Sequence, residues 1–173
     1  MQVTHKDDIF TALYEATGYL DRKHVQAHKR YALVTDGRIC ITDGGILFRI
    51  LAPGWEDGVY ILTARTKSTI EMFATPQVSP EEFPDIAGAF ESVTADPAPI
   101  AVDIIRGAEW FYLKVVRRTD RPLNFRNIES VFKCLEEQDT YIQFDPSTPA
   151  GLTVFTGPGI EIATMPMRGD DNA

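Results

Sequence analysis

The sequence lacks the features that define several large classes of protein. Its two cysteines, Cys40 and Cys134, are too few for a disulfide scaffold and indicate reduced, buried or half-buried residues of a cytoplasmic protein. Its apolar runs fall far short of the roughly 20 residues that a membrane span needs, so we expect no membrane partner. The first ten residues, MQVTHKDDIF, have no apolar stretch behind basic residues and predict no signal peptide.

Basic residues are outnumbered, which limits how the chain could bind nucleic acid. It has 17 Lys and Arg against 25 Asp and Glu, a formal net charge of −8. This balance argues against a protein that binds DNA over its whole surface, but it allows a local basic face on a protein of net negative charge. The 173 residues suit one globular domain, which we expect over residues 1–168 with a flexible tail at 169–173.

Catalytic motifs are missing as well. The sequence has no GxxxxGK[ST] or GxGxxG phosphate loop and no GxSxG elbow, and neither cysteine has a nucleophile signature. We therefore predict neither an enzyme nor a cofactor. His24 and His28 are spaced for one face of a helix and could bind zinc with a third ligand such as His5. Because HExxH is absent, we expect no metal and keep a small metal-dependent enzyme as a second alternative.

Hydrophobic spacing predicts two helices and a series of short strands. Residues 5–20 carry an apolar stripe at helical spacing, with Asp7 and Asp8 expected in the first turn and an end near Gly18. A second stripe predicts a helix over 127–137. Residues 75–99 predict a long irregular connection with a short helix at 85–92. Strands are expected at 31–34, 38–42, 46–51, 59–64, 68–74, 100–105, 111–116, 141–144, 152–155 and 161–165.

This order of elements is typical of an α+β fold, in which two helices pack on one face of antiparallel sheet. Two groups of basic residues, at 22–30 and 114–126, could bind phosphate groups if they lie on one face. Ordinary solvated charge is the alternative interpretation of both groups. The candidates for DNA binding are Arg22, Lys23, Lys29, Arg30, Lys114, Arg117, Arg118 and Arg126.

The C-terminal end adds a resemblance to a known family. Residues 164–168, TMPMR, follow an alternating strand and resemble the end of the bacterial DNA polymerase III sliding clamp, the beta subunit. Residues 123–135, LNFRNIESVFKCL, are similar to the N-x-x-Y/F-L helix of that family, and residues 41–50, ITDGGILFRI, to its A-T-D-G-H-R-L-A strand. Residues 83–90, FPDIAGAF, resemble its F-P-D-Y segment.

The resemblance implies a DNA-clamp-like domain with a hydrophobic groove for short partner peptides between the TDG and MPMR strands. The family takes these two motifs from different domains, whereas the single domain expected here would hold both. Gly45 and Ile46 stand where the family has His and Arg. Methionine suits surfaces that accept varied apolar side chains, and Arg168 could bind a partner carboxylate. The groove candidates are Thr42, Asp43, Gly44, Ile46, Met165, Pro166, Met167 and Arg168.

By this resemblance the chain is expected to be a sliding-clamp-like accessory protein of DNA replication, a processivity factor rather than an enzyme. It would self-associate into a homo-oligomer through sheet edges and bind duplex DNA, replication proteins or both. The alternative from a different class is a protein-interaction module that binds partner peptides without encircling DNA.

Overall fold

The structure is a computed structural model of the 173-residue chain. It describes residues 1–21, 23–93, 98–99, 102–106, 110–115, 121–135, 141–143 and 151–165. These residues form two compact units. The first comprises Met1–Ile86 and the short stretch Gly159–Glu161, and the second comprises the other described residues.

The described residues of the first unit contain six whole strands and two helices. The elements are β1 (Gln2–Thr4), α1 (Phe10–Thr17), α2 (Ala27–Arg30), β2 (Ala32–Thr35), β3 (Arg38–Thr42), β4 (Ile46–Leu51), β5 (Gly58–Arg65) and β6 (Thr69–Ala74). The strands lie side by side in the order β1, β6, β5, β2, β3, β4, and each neighbouring pair is antiparallel.

A 3₁₀ turn at Pro80–Glu82 precedes the remaining elements. These are α3 (Ile86–Glu91), β7 (Ala98–Pro99), β8 (Val102–Arg106), β9 (Trp110–Val115), β10 (Arg121–Asn124), α4 (Phe125–Leu135), β11 (Tyr141–Gln143), β12 (Thr153–Gly157) and β13 (Ile160–Thr164). They include a three-stranded sheet in the order β10, β9, β8 and a run of strands in the order β13, β12, β11, β7.

The core of the first unit forms because one face of each strand is apolar. Ile39 and Ile41 of β3 alternate with Cys40, and Phe48 of β4 pairs with Ile41 in the register. These three apolar side chains and Leu13 of α1 are all at most 1% exposed. Helix α1 lies against β3, β4, β5 and β6. Full burial of each such side chain contributes about 1.5–3 kcal/mol, so this face holds the unit together.

The predicted α+β class, with helices on antiparallel sheet, is confirmed. Helix α1 covers one sheet, and α4 lies against β9 and β10 of the other unit. The predicted bounds of β3 and β4 are also confirmed, as is the short helix inside the 75–99 connection, observed as α3. The turn between β2 and β3 has the conformation that its Asp-Gly pair predicts, because Asp36 and Gly37 both have positive φ.

The predicted start of the first helix is wrong. Helix α1 begins at Phe10 rather than at residue 5, and its first turn contains no acidic residue. Asp7 instead closes a turn, because its Oδ2 accepts hydrogen bonds from the Thr4 backbone N–H at 2.7 Å and the Thr4 hydroxyl at 3.0 Å. These bonds lower the pKa of Asp7. The predicted end at Gly18 is confirmed.

The second predicted helix is confirmed with shifted bounds, since α4 spans Phe125–Leu135. Its buried face includes Ile128, Val131 and Leu135, which belong to the predicted stripe. The sequence predicts one domain over residues 1–168, while the described residues gather into two units. Because compact units can unfold together or apart, the single domain stays a prediction. Residues 169–173, the predicted tail, lie outside the described residues.

Candidate peptide groove and basic segments

The turn between β3 and β4 carries the first half of the predicted groove, and its own side chains fix its shape. The Thr42 hydroxyl donates to the Ile46 carbonyl at 2.7 Å and accepts from the Gly44 N–H at 3.0 Å. Oδ1 of Asp43 accepts from the N–H groups of Gly45, at 2.9 Å, and Ile46, at 3.1 Å. The Asp43 carboxylate therefore satisfies backbone donors that a tight turn leaves without partners.

Fewer of the predicted groove residues in this turn are exposed than the sequence predicts. Ile46 is 1% exposed and lies on the core face of β4, and Thr42 is also buried. Gly44 is exposed, and Asp43 is half-buried. The two buried residues support the turn from the core side, so its solvent-facing surface comes from Asp43, Gly44 and Gly45.

The second half of the predicted groove begins directly after β13. Met165 is 48% exposed, one of five large apolar residues that are exposed in the described part of the chain. Pro166, Met167 and Arg168 lie outside the described residues. The turn at 42–45 belongs to the first unit and Met165 to the second, so the two motifs fall in different compact units rather than in a shared one.

Lys29 joins a predicted DNA-binding segment to the predicted groove. A Cβ added to Gly44 would lie 3.3 Å from Cε of Lys29 and 3.5 Å from its Nζ. The lysine side chain therefore rests on the β3–β4 turn. Gly44 has φ +95°, a conformation that glycine adopts without strain, and its missing side chain leaves room for Lys29.

The rest of the first basic segment forms a closed, exposed loop. The Asp21 N–H donates to the Lys29 carbonyl at 2.8 Å, and Lys23 and Arg30 are exposed. Arg30 also lies over the Tyr31 ring, with its guanidinium carbon 5.0 Å from the ring centroid. Arg22 lies outside the described residues. The structure thus places three of the four predicted cations on one short stretch of chain.

His28 of this segment is less readily protonated than an ordinary histidine. Burial lowers the pKa of His28, and the charges of Lys29 and His24 lower it further. His24 accepts a hydrogen bond at Nδ1 from the Gln26 N–H at 3.1 Å. Within the described ranges, no three His, Cys, Asp or Glu side chains group closely enough to hold a metal ion. The zinc site of the second alternative is therefore not found there.

The second basic group is described only in part. Arg126 is exposed in the first turn of α4. Lys114 lies on β9, opposite Asp103 of β8 in the register, but its side chain falls outside what the structure describes. Arg117 and Arg118 lie outside the described residues altogether. Their proposed contact with DNA stays a prediction.

Sequence reasoning missed a charged cluster around Glu161 of β13, which we call the Glu161 cluster (Arg38, Arg49 and Glu161). Oε2 of Glu161 accepts from Arg49 Nε at 2.7 Å and from Arg38 Nη1 at 3.0 Å, and Oε1 accepts from Arg49 Nη2 at 2.8 Å. Glu161 is more than 100 residues from both arginines in sequence. No local pattern connects groups so far apart, and their opposite charge was the single available signal.

The fold belongs to the DNA-clamp-like α+β class. A protein described as a DNA polymerase III beta subunit from Eubacterium rectale aligns with 97% of this chain and 65% of its own, at 9% identity and a TM-score of 0.57. The beta subunit of Borrelia burgdorferi, solved with a natural product, aligns with 98% and 64% at 10% identity and a TM-score of 0.53. That of Thermotoga maritima aligns with 95% and 63% at 11% identity and a TM-score of 0.51.

This chain thus spans less than two thirds of the length of each of these three proteins. Identities of 9–11% establish the shared fold alone. No protein-family model matches the sequence, and neither does any curated protein sequence. The beta clamp of Helicobacter pylori has been crystallised with a DNA ligase peptide. Across the described ranges, no helix is long and apolar enough to cross a membrane.

Proposed function

We propose that the chain is a sliding-clamp-like accessory protein of DNA replication, related to the bacterial DNA polymerase III beta subunit. It acts in the cytoplasm without catalytic activity, self-associates, and binds duplex DNA, replication proteins or both. The observation that carries this proposal is the clamp-like fold, which aligns over 97% of the chain with a beta-subunit structure. The MPMR sequence at 165–168 supports it independently, because it directly follows the last described strand, as the resemblance to the clamp family implies.

Contact with DNA is assigned to the basic loop at 21–30. An acidic protein can hold DNA only through a local basic surface, and this loop presents Lys23, Lys29 and Arg30 close together in the chain. Such contacts go to phosphate oxygens and carry no sequence information. We therefore expect weak binding that does not depend on sequence.

The experiment is fluorescence anisotropy with a duplex of about 30 base pairs over a salt series from about 50 to 200 mM. A variant with Lys23→Ala, Lys29→Ala and Arg30→Ala should weaken binding and lower the salt slope by about 1 for each phosphate that it no longer neutralises. Lys67→Ala is the matched control, since Lys67 is an exposed cation in the β5–β6 turn. Wild-type protein with no salt-dependent affinity would contradict the proposed DNA contact.

Self-association is assigned to sheet edges. Strand β1 ends the strand order of the first unit, so its outer backbone groups can pair with another copy. One clamp-like chain of 173 residues is too small to surround DNA alone, so encirclement requires several copies. Sedimentation equilibrium gives the mass in solution, and a strict monomer at high concentration excludes the ring.

The second candidate is a peptide-binding module that does not encircle DNA. It is favoured by the exposed Met165 at the end of β13 and by the exposed Gly44 turn. The probe is the DNA ligase peptide found in the Helicobacter pylori clamp structure. A double variant with Met165→Ala and Met167→Ala should lose peptide binding and keep its fold. Phe73→Ala is the control, because Phe73 is 55% exposed on β6, far from residue 165 in sequence.

A further inference from the structure

The start of β13 is held in the first unit by contacts on both its backbone and its side chains. The Leu51 N–H at the end of β4 donates to the Gly159 carbonyl at 2.7 Å. Gly159 has φ +74°, and a Cβ added to it would lie 3.6 Å from Cβ of Leu51. Two residues later, Glu161 is bound by both arginines of the Glu161 cluster. The segment 159–161 is thus fixed before the strand continues into the second unit.

The Glu161 cluster restricts this attachment to one register. Side chains alternate between the two faces of a strand, so a slip by one residue would turn Glu161 away from Arg38 and Arg49. The same slip would displace Met165, which directly follows the strand. The position of the cluster and the position of the methionine are therefore set together.

The side chains of the cluster are only partly exposed, so removing one of them destabilises the protein more than it would at a fully exposed site. The side chains of Glu161 and Arg49 are each 21% exposed, and that of Arg38 is 37% exposed. Arg49 holds the carboxylate at two points, which fixes its orientation as well as its distance. Partly buried charges add little net stability when paired, but they are costly when one partner is removed. The main effect of such a cluster is therefore to destabilise other registers of β13.

We propose that Glu161 is a positioning residue for the peptide-binding surface at Met165: held by Arg38 and Arg49, it fixes the register of β13 and thereby the position of Met165. The inference rests on the proposed function, because it requires that peptides bind at the end of β13. It adds three residues, outside the groove itself, on which the affinity of that groove depends.

The test is Glu161→Gln, assayed by isothermal titration with the DNA ligase peptide of the Helicobacter pylori complex. We expect affinity to fall about tenfold. Amide hydrogen exchange should accelerate over residues 160–165 and stay unchanged over β2 and β3. The matched control is Glu71→Gln, a carboxylate on β6 of the same unit that accepts a hydrogen bond from Gln2 Nε2 at 3.1 Å. Its peptide affinity should equal that of the wild type.

Arg49→Lys provides a milder variant in case Glu161→Gln does not fold. It keeps the charge but cannot hold the carboxylate at two points, so an affinity between those of the wild type and Glu161→Gln is expected. Wild-type affinity in both Glu161→Gln and Arg49→Lys would overturn the positioning role and leave the groove intact. Equal weakening in Glu71→Gln would also overturn it. A wild-type protein that does not bind the peptide would refute the groove, and the positioning role with it.

Discussion

At the scale of single residues, two buried hydroxyl groups near the end of the chain have no hydrogen-bond partner. Oγ1 of Thr153 and Oγ1 of Thr164 are both buried and unpartnered in the described part of the chain. A buried hydroxyl without a partner loses its bonds to water and gains nothing in return. We expect Thr153→Val and Thr164→Val to leave the free energy of unfolding unchanged or to raise it by up to about 1 kcal/mol, as measured by urea denaturation.

The control for these substitutions is Thr17→Val. The Thr17 hydroxyl is also buried, but it donates to the Leu13 carbonyl at 2.8 Å. Its removal should lower the free energy of unfolding by about 1 kcal/mol. If Thr153→Val and Thr164→Val destabilise the protein as much as Thr17→Val does, the hydroxyls are satisfied and the expectation is wrong.

Cys40 predicts a specific loss of stability at alkaline pH. Burial raises the pKa of this thiol from an ordinary 9.0 to about 11, against the opposing effect of Arg49 and Arg38. Since the folded-state pKa is raised, the contribution of the neutral thiol is fully present below pH 9 and is lost as pH rises toward 11. Relative to Cys40→Ala, the wild type should lose about 2 kcal/mol over this range. Parallel denaturation curves for the two proteins would exclude the shifted thiol.

The limits of sequence reasoning at this scale follow from how local each signal is. Both cysteines are buried, which agrees with the buried or half-buried thiols that the sequence predicts. Asp7 was misplaced because a carboxylate can accept N–H groups at a helix start or in a turn, and the local sequence is the same in both cases. Glu161 had no local signal, because its partners lie on strands formed more than 100 residues earlier.

At the scale of elements, the β3–β4 turn makes a prediction about packing. Gly44→Ala should destabilise the protein by more than Gly37→Ala, although both glycines have positive φ. Each substitution costs roughly 1 kcal/mol for the backbone conformation. At Gly37 an added Cβ meets nothing within 4 Å, whereas at Gly44 it meets Lys29. Thermal denaturation of both variants measures the difference.

A double variant isolates the contribution of the lysine. In a Lys29→Ala background, the cost of Gly44→Ala should fall to that of its backbone conformation at φ +95° alone, because the opposing side chain is gone. A cost that stays unchanged in this background would show that Lys29 does not rest on the turn in solution.

Element prediction succeeded where hydrophobic pattern and turn chemistry agreed. Strands β3 and β4 combine alternating apolar residues with Asp-Gly turns, and their bounds are as predicted. Helix α2 and strand β1 were not predicted, because α2 has four mostly polar residues with none buried and β1 has three residues. Elements this short owe their form to neighbouring strands rather than to their own propensity.

At the scale of the whole molecule, the proposed groove depends on how its two motifs are distributed. The resemblance names the residues of both motifs, but the expectation that one domain holds them came from chain length. In the structure the turn at 42–45 and Met165 belong to different units. The expectation of one domain that holds both motifs is therefore not what the grouping into units shows.

The two units should nevertheless unfold as one domain. The first unit is discontinuous, since Gly159–Glu161 belong to it while the residues on either side belong to the second. The first unit cannot lose these residues without disturbing β13, whose last three residues belong to the second unit. One cooperative transition of 173 residues implies a van't Hoff enthalpy of about 120 kcal/mol near 60 °C, whereas two independent transitions imply about half that value each. Scanning calorimetry measures both enthalpies, and a calorimetric value twice the van't Hoff value would refute the single domain.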